Sequence, residues 1–329
     1  MKPDTSLQIY REGIDFSIPI DSLDNEVSWY YQGRSAGQDQ QGNRRFYTQV
    51  QDEVILDILK TNRWLRPVYF ANTVSPSSQM NLHPYFRFEG KAFRVVPQRH
   101  STSSGYGWMN TDIHTDRLNK FRFREWDNPD AYFDENIRRM LGNYRYGITQ
   151  LADQFRSKNM PDSAAKWLRW GEENIPFHHL QSNLNSLVLY AYSYAQNNAL
   201  EDAIELAEKG KEEIISNLTY DMERYDDLQS QIMELDAQAK SARQNANMAE
   251  QGRLRNQIQN VISQRKNLAS DIGYNISHLT ILQRIYFMAG QDTEAKALAE
   301  RVNGITMDRI SLPASKEENA AQVDQYNLN

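Results

Sequence analysis

"LVLYAYSYAQNNALEDAIELAEKG", residues 187–210, decides how this chain is read. Small and aromatic residues recur in it at fixed steps: Ala191, Tyr194, Ala203, Ala207 and Gly210, preceded by Leu187 and Tyr190. Upstream, "ITQLADQFRSKNMPDSAAKWLRWGEENIP" (148–176) repeats the spacing with Ala152, Phe155 and Ala164, and Leu168, Gly171 and Pro176 complete the pattern. Downstream, "HLTILQRIYFMAGQDTEAKALAERV" (278–302) repeats it more weakly. There Gln283 replaces the first alanine while Leu279, Leu282, Tyr286, Ala295 and Ala299 keep register. Self-similarity at a fixed period is the mark of a stacked helical repeat.

These copies resemble tetratricopeptide repeats. Two antiparallel helices approach closely only where both present a small residue, and the aromatic then fills the gap to the next pair. Three unrelated amphipathic helix pairs are the alternative. Between the second and third copies lies a charged insertion, about 220–272. In it Tyr225, Leu228, Ile232, Leu235, Ala239 and Ala242 step by three and four, and Leu254, Ile258, Val261, Arg265, Leu268 and Ile272 do so again after a break at "NANMAEQG". The spacing predicts an antiparallel coiled-coil hairpin that lengthens the second helix of one repeat and returns as the first helix of the next. Its narrow seam suits a partner-contact arm and a solvated spacer equally.

Before Asp134 the pattern differs: short apolar runs alternate with Gly, Pro, Ser and Asn, so the boundary is drawn there, giving 1–133 and 134–329. "DEVILDILKTNRWLRPVYFANTV" (52–74) starts as a helix with Val54, Ile55, Ile58 and Leu59 on one stripe and Asp52 and Glu53 at its positive end. Pro67 stops that helix, and "VYFANTV" is apolar enough on both faces to be expected as a central strand. "YFRFEGKAFRVVP" reads as a tight hairpin turning at Gly90, with Phe86 and Phe88 opposite Phe93 and Val95. Residues 32–45 and 98–107 read as polar, mobile loops. The expected fold class is α+β: a small N-terminal α/β module, then an all-α tetratricopeptide-like domain with a projecting antiparallel coiled-coil hairpin.

Composition narrows the function. The 329 residues are 40% apolar, enough for a sizeable core, and carry a net charge of −6 with no cysteine. That excludes disulfides, thiolate metal sites and a cysteine nucleophile. Without a basic block, nucleic acid is not an expected partner. No window reaches the roughly 18 apolar residues of a membrane span, and "MKPDTSLQIYREG" has no signal-peptide core, so a soluble chain is expected.

Candidate chemistry is sparse. In an extended strand "TDIHTD" would align Asp112, His114 and Asp116 on one side, as a metal would require, but "TDRLNKF" reads as a helix start with an Asp as cap. Capping is favoured, and no metal or cofactor is expected. Arg63 and Arg66 around Trp64 could clamp a phosphate or carboxylate, or pair structurally with carboxylates such as Glu89 or Asp57. Structure is favoured. Tyr30, Tyr31, Trp64, Trp108 and Trp126 could stack on sugars, though the same residues suit a small core. Phosphate-loop, nucleophile-elbow and zincin motifs are missing, and no catalytic residue is assigned. A soluble hydrolase using Asp112 or Asp134 finds no support in a paired base or nucleophile.

"TNRWLRPVYFA", then "FRFEGKAFRVVP", "TDIHTDRLNKFRF" and "YFDENIRRMLGNYRYGITQLADQF", in that order, resemble the C-terminal soluble region of bacterial protein O-mannosyltransferase-like membrane proteins. The resemblance runs from about Asp52 to Ile215 and is carried most specifically by Asn62, Trp64, Arg66, Pro67, Tyr69, Phe70 and Ala71. Asp112, Asp116, Asp134, Glu135 and Asn136 also fall on family-like positions; His114 does not. It implies a parent protein that moves a sugar from a lipid-linked donor to a protein, with the catalytic carboxylate in a membrane portion this chain lacks. It further implies an inactive module on the periplasmic side of the bacterial inner membrane. That module would present acceptor proteins or peptides and contact the membrane portion of its parent. Arg63, Trp64, Arg66, Asp112, Asp116, Trp126 and Asp134 are its candidate binding residues. The other reading is a free-standing repeat adaptor, cytoplasmic, that scaffolds a complex.

Overall fold

The computed structural model describes residues 14–19, 26–100, 108–128, 130–177, 184–245 and 247–327. It is an α+β protein that divides into two compact units, Met1–Arg124 and Glu125–Asn329. Within the first unit β1 (Ile14–Pro19) pairs antiparallel with β2 (Glu26–Tyr31), and β3 (Arg34–Gln38) with β4 (Arg44–Tyr47). Residues 32–45 are therefore largely a β-hairpin and not the loop their polarity suggests. Asp39 makes the turn: its carboxylate accepts the Gln41 and Asn43 backbone N–H groups, both at 2.9 Å. Of the other expected loop, residues 101–107 lie outside the described residues.

Helix α1 (Val50–Asn62) buries Leu56, Leu59 and Asp52, whereas Val54 and Ile58 are half exposed. The stripe read from apolar spacing was off because a charged residue holds the inward face. Asp52 accepts from the Tyr31 hydroxyl at 3.0 Å, from Arg34 Nη2 at 3.2 Å and from the Gln49 N–H at 3.1 Å. Burial first and this carboxylate next push the Tyr31 hydroxyl up to about 12. After α1 the chain turns sharply, with Arg63 and Trp64 in the left-handed region at φ 44° and 64°. The Asn62 side chain ties the turn shut, donating to the Arg66 carbonyl at 2.7 Å and accepting the Arg66 N–H at 3.1 Å.

The strand that follows, β5 (Tyr69–Ala71), joins β6 (Phe86–Glu89), β7 (Ala92–Val95) and β8 (Trp108–Met109) in the order β5-β7-β6-β8. It lies at the sheet edge, contrary to the central place expected, and exposes Tyr69 and Ala71 while burying Phe70. The hairpin turning at Gly90 is present, with Phe88 opposite Phe93 and Phe86 opposite Val95. One sheet face is thus an aromatic core in which Phe86 and Phe93 stack at 5.3 Å and Phe88 lies 5.0 Å from Phe93. Helix α2 (Thr111–Asn119) packs on β6.

The second unit consists of α3 (Glu135–Ser157), α4 (Pro161–Asn174), α5 (Leu184–Gln196), α6 (Leu200–Gln244), α7 (Met248–Met288), α8 (Asp292–Thr306) and α9 (Lys316–Asn327). Three helix pairs, α3 with α4, α5 with α6 and α7 with α8, close through one repeated turn. In each, the residue two before the second helix takes a left-handed φ: Asn159 at 61°, Asn198 at 61°, Gly290 at 73°. In each, the next N–H reaches back to an aromatic carbonyl: Met160 to Phe155 at 2.9 Å, Ala199 to Tyr194 at 3.1 Å, Gln291 to Tyr286 at 2.9 Å. This six-to-one bond is the Schellman closure of a helix end. Ala164, Ala203 and Ala295, nine residues after those aromatics, are fully buried where paired helices approach. Gln283 breaks the small-residue pattern for a local reason: its amide carbonyl accepts from Asn319 of α9 at 2.9 Å, which seals the last pair.

Helices α6 and α7 run antiparallel over their length, as their pairings show: Asp221 with Asn275, Gln229 with Arg265, and Ala239 and Ala242 around Leu254. Arg309, after α8, clamps Asp226 at 2.6 and 3.0 Å, so the body of the unit reaches that far along α6. Replacing residues 230–264 by a short Gly-Ser turn should leave the melting temperature within a few degrees, since closure entropy changes by only about 0.6 kcal/mol per doubling of length. A collapsed melting curve would show that the arm supports the body. A Cβ at Gly171 would lie 2.2 Å from the Tyr190 hydroxyl and 2.7 Å from Ile148 Cδ1. Gly171→Ala is expected to destabilise by about 1 to 3 kcal/mol in chemical unfolding, and an unchanged midpoint would refute close packing there.

Candidate functional site

Helices α5 and α7 enclose a groove of about 500 Å³. A polar pair lines it: His278 Nε2 and Asn185 Oδ1 stand 3.2 Å apart, with His278 only 7% exposed and Asn185 exposed. With Nε2–H donating to the asparagine oxygen, Nδ1 keeps a bare lone pair, and no residue among those described bonds to it. Burial lowers the His278 pKa, which keeps the ring neutral and a hydrogen-bond acceptor. Tyr274 at 66% and Leu189 at 41% exposure form apolar walls that nothing among the described residues covers. Ser277 and Ser270 also line the groove and donate to carbonyls of their own helix, leaving their oxygens as acceptors toward it.

Gly273 completes the lining and lacks a packing reason. A Cβ built there meets nothing within 4 Å. A glycine inside a helix costs about 1 kcal/mol against alanine, so its presence here is a local cost to helix stability. The groove thus offers a mixed apolar and polar wall with serine oxygens as acceptors, suited to an extended peptide or another ligand with an N–H or O–H donor. It holds no nucleophile with an adjacent base. Asn185 and His278 are far apart in sequence and carry no motif, so sequence reasoning missed the pair.

The residues singled out from sequence are dispersed. Arg63 and Arg66 are exposed in the turn after α1 and Trp64 is half-buried there. Asp57 is exposed, and Glu89 takes its partners elsewhere: Arg87 at 2.5 Å, Arg94 at 3.8 Å, Arg117 at 3.9 Å and the Tyr69 hydroxyl at 3.2 Å. Asp112 and Asp116 are exposed in the helix α2, whose cap is Asn110, accepting the Ile113 N–H at 3.0 Å. Asp116 pairs with Lys120 at 2.6 Å. Because the stretch is helical, the alternate-residue alignment of a metal site does not form, and no metal-holding group of His, Asp and Glu occurs among the described residues. In the second unit Asp134 caps α3 through the Ile137 N–H at 2.9 Å, and Trp126 meets Tyr144 edge-on at 5.4 Å.

A family model described as TMEM260-associated domain 2 matches residues 43–113, from β4 through the turn after α1 and the aromatic sheet to the start of α2. No curated protein and no solved structure matches the chain.

His114, fully buried on that sheet, accepts the Gly90 N–H on Nδ1 at 3.2 Å, and burial depresses its pKa from 6.5 to about 4. The unfolded chain therefore binds a proton that the folded chain refuses, and stability falls as pH drops from 6.5 toward 4. The contribution is about 3 kcal/mol across that window. Urea midpoints measured against pH should show this slope, and His114→Gln, which cannot titrate, should flatten it; identical slopes would contradict the assignment.

Proposed function

We propose that this chain is a non-catalytic module of a membrane protein O-glycosyltransferase, mannosyltransferase-like and using a lipid-linked sugar donor, and that it binds acceptor segments for that enzyme. The match to TMEM260-associated domain 2 supports the link to a membrane glycosyltransferase-type protein. The single observation carrying the acceptor role is the α5–α7 groove, with its exposed Tyr274 and Leu189 beside a buried neutral His278. The recurring Schellman turns and buried alanines favour tetratricopeptide-like pairs, and such stacks take extended peptides along the surface formed by their first helices. α5 and α7 are first helices of their pairs. In this reading the α6–α7 arm is a coiled coil that contacts the acceptor or the membrane portion, and the chain works on the periplasmic side. Among the described residues no helix is long and apolar enough to cross a membrane.

The scaffolding reading, an adaptor that never meets sugar, fits the same non-catalytic groove, and one experiment separates the two. In cells whose chromosomal copy carries Tyr274→Ala with Leu189→Asp, occupancy of O-glycosylated sites should fall at least several-fold while the purified variant melts as wild type. Both changes are at exposed positions, so folding should survive. Unchanged glycosylation in that strain and in a strain lacking the gene would refute the proposal and leave the adaptor.

A further inference from the structure

The sheet has a second face, and its residues do not fit the role of a covering layer. In register across the four strands stand Tyr69, Arg94, Arg87 and Trp108, with Arg94 paired to both Tyr69 and Arg87, and Arg87 to Trp108. Two arginines directly opposite one another are unfavourable unless an anion lies between them. Glu89 supplies one negative charge on the same face, its side chain 1% exposed. Arg87 satisfies it, with Nη2 at 2.5 Å and Nε at 2.7 Å, and the Tyr69 hydroxyl takes the other oxygen.

Arg94 and Arg117 are surplus to that need. They stand 3.8 and 3.9 Å from different oxygens of Glu89, beyond hydrogen-bond reach, with side chains 35% and 44% exposed. Arg117 has one further ion-pair contact, Asp116 at the outer limit of 4.0 Å. Both guanidiniums thus flank one buried carboxylate, with their donors largely unspent among the described residues. Three guanidiniums around one carboxylate leave a net positive charge matched by a dianion. The wider sequence agrees: basic residues outnumber acidic ones in Met1–Arg124, and the reverse holds in Glu125–Asn329.

We propose that this face binds a phosphate group, gripped by Arg94 and Arg117 and oriented by the Arg87–Glu89 pair behind them. Guanidinium forks match phosphate oxygens in bidentate fashion, and the attraction of one carboxylate already gathers both forks at one place. Tyr69 and Trp108 stand at the two ends of the row, Tyr69 bonded through its hydroxyl to Glu89 and Trp108 stacked on His100 at 4.2 Å. The site is independent of the α5–α7 groove, and neither reading needs the other.

The test uses the full chain with inorganic phosphate and pyrophosphate in titration calorimetry, and with phosphatidylglycerol against phosphatidylcholine vesicles in co-sedimentation, at two salt concentrations. Wild type should bind one of the phosphate probes or the anionic vesicles, more weakly at high salt. Arg94→Gln with Arg117→Gln should weaken that binding at least tenfold, and Arg156→Gln, an exposed arginine of the second unit, should not. Arg94→Lys, which keeps the charge and loses the fork, should fall between them and guards against misfolding of the double variant, whose melting curve is read alongside. Binding of pyrophosphate without vesicle binding identifies a soluble phosphate compound; vesicle binding alone identifies a lipid headgroup. If no probe binds wild type, or the double variant binds like wild type, the proposal fails.

Discussion

One hydrogen bond sets the spacing of the helical unit. The Tyr190 hydroxyl donates to the Leu168 carbonyl at 2.7 Å, passing over Gly171, where any side chain would strike it. The bond ties the second helix of one pair to the first helix of the next, and full burial raises the hydroxyl's pKa so that it stays a donor. Tyr190 also meets Phe177 and Tyr194 edge-on, at 5.4 and 5.7 Å. With α5 fixed in this way, its other side is available to α7, and the Asn185–His278 pair follows from that placement. A groove with a defined lining requires helices that cannot slide, and here a glycine and a phenol prevent sliding more effectively than an apolar contact would.

The first unit depends on an analogous device made from charge. Asp52 is fully buried, begins α1 and collects Tyr31 and Arg34 from two different strands. A buried carboxylate is tolerated only with such partners, and removing one would leave it stranded. The turn at Arg63 and Trp64, which looked like a candidate site, is closed by Asn62 and keeps its arginines outside. Its work is to reverse the chain from α1 into β5. Trp64 is half-buried, so its truncation would remove less contact than a core tryptophan's.

What was legible in the sequence was local and periodic. The Phe155, Tyr194 and Tyr286 positions could be aligned because each must offer its carbonyl to the same turn, and the alanines nine residues on because paired helices touch there. The hairpin at Gly90 was readable from alternation alone. The rest depends on partners remote in sequence. Nothing near Asp52 announces that Tyr31 and Arg34 will neutralise it, so apolar spacing assigned the inward face of α1 to Val54 and Ile58. The edge position of β5 follows from which strand β7 pairs with, and three residues do not encode that choice. Gln283 looked like a decayed repeat position and is instead the clasp for α9. Neither the groove pair nor the arginine row forms a motif, because each is assembled by tertiary register.

Charge along the chain appeared mixed when read as a total of −6, and the fold sorts it. On the sheet, arginines gather around one buried carboxylate; in the helical unit, the acidic excess is answered pair by pair, as in Arg301 on Glu212 and Arg169 on Asp202. Exposed pairs of that kind each contribute little, about 0 to 1 kcal/mol, and they stabilise adjoining helices without reserving charge for a ligand. Arg94 and Arg117 differ in standing near a carboxylate that they do not fully engage. An arrangement that concentrates like charge and withholds the matching bonds lowers stability locally, and such a loss is retained where something else completes the set. In the helical unit Gly273 is a comparable local cost, a glycine inside a helix with open space beside it.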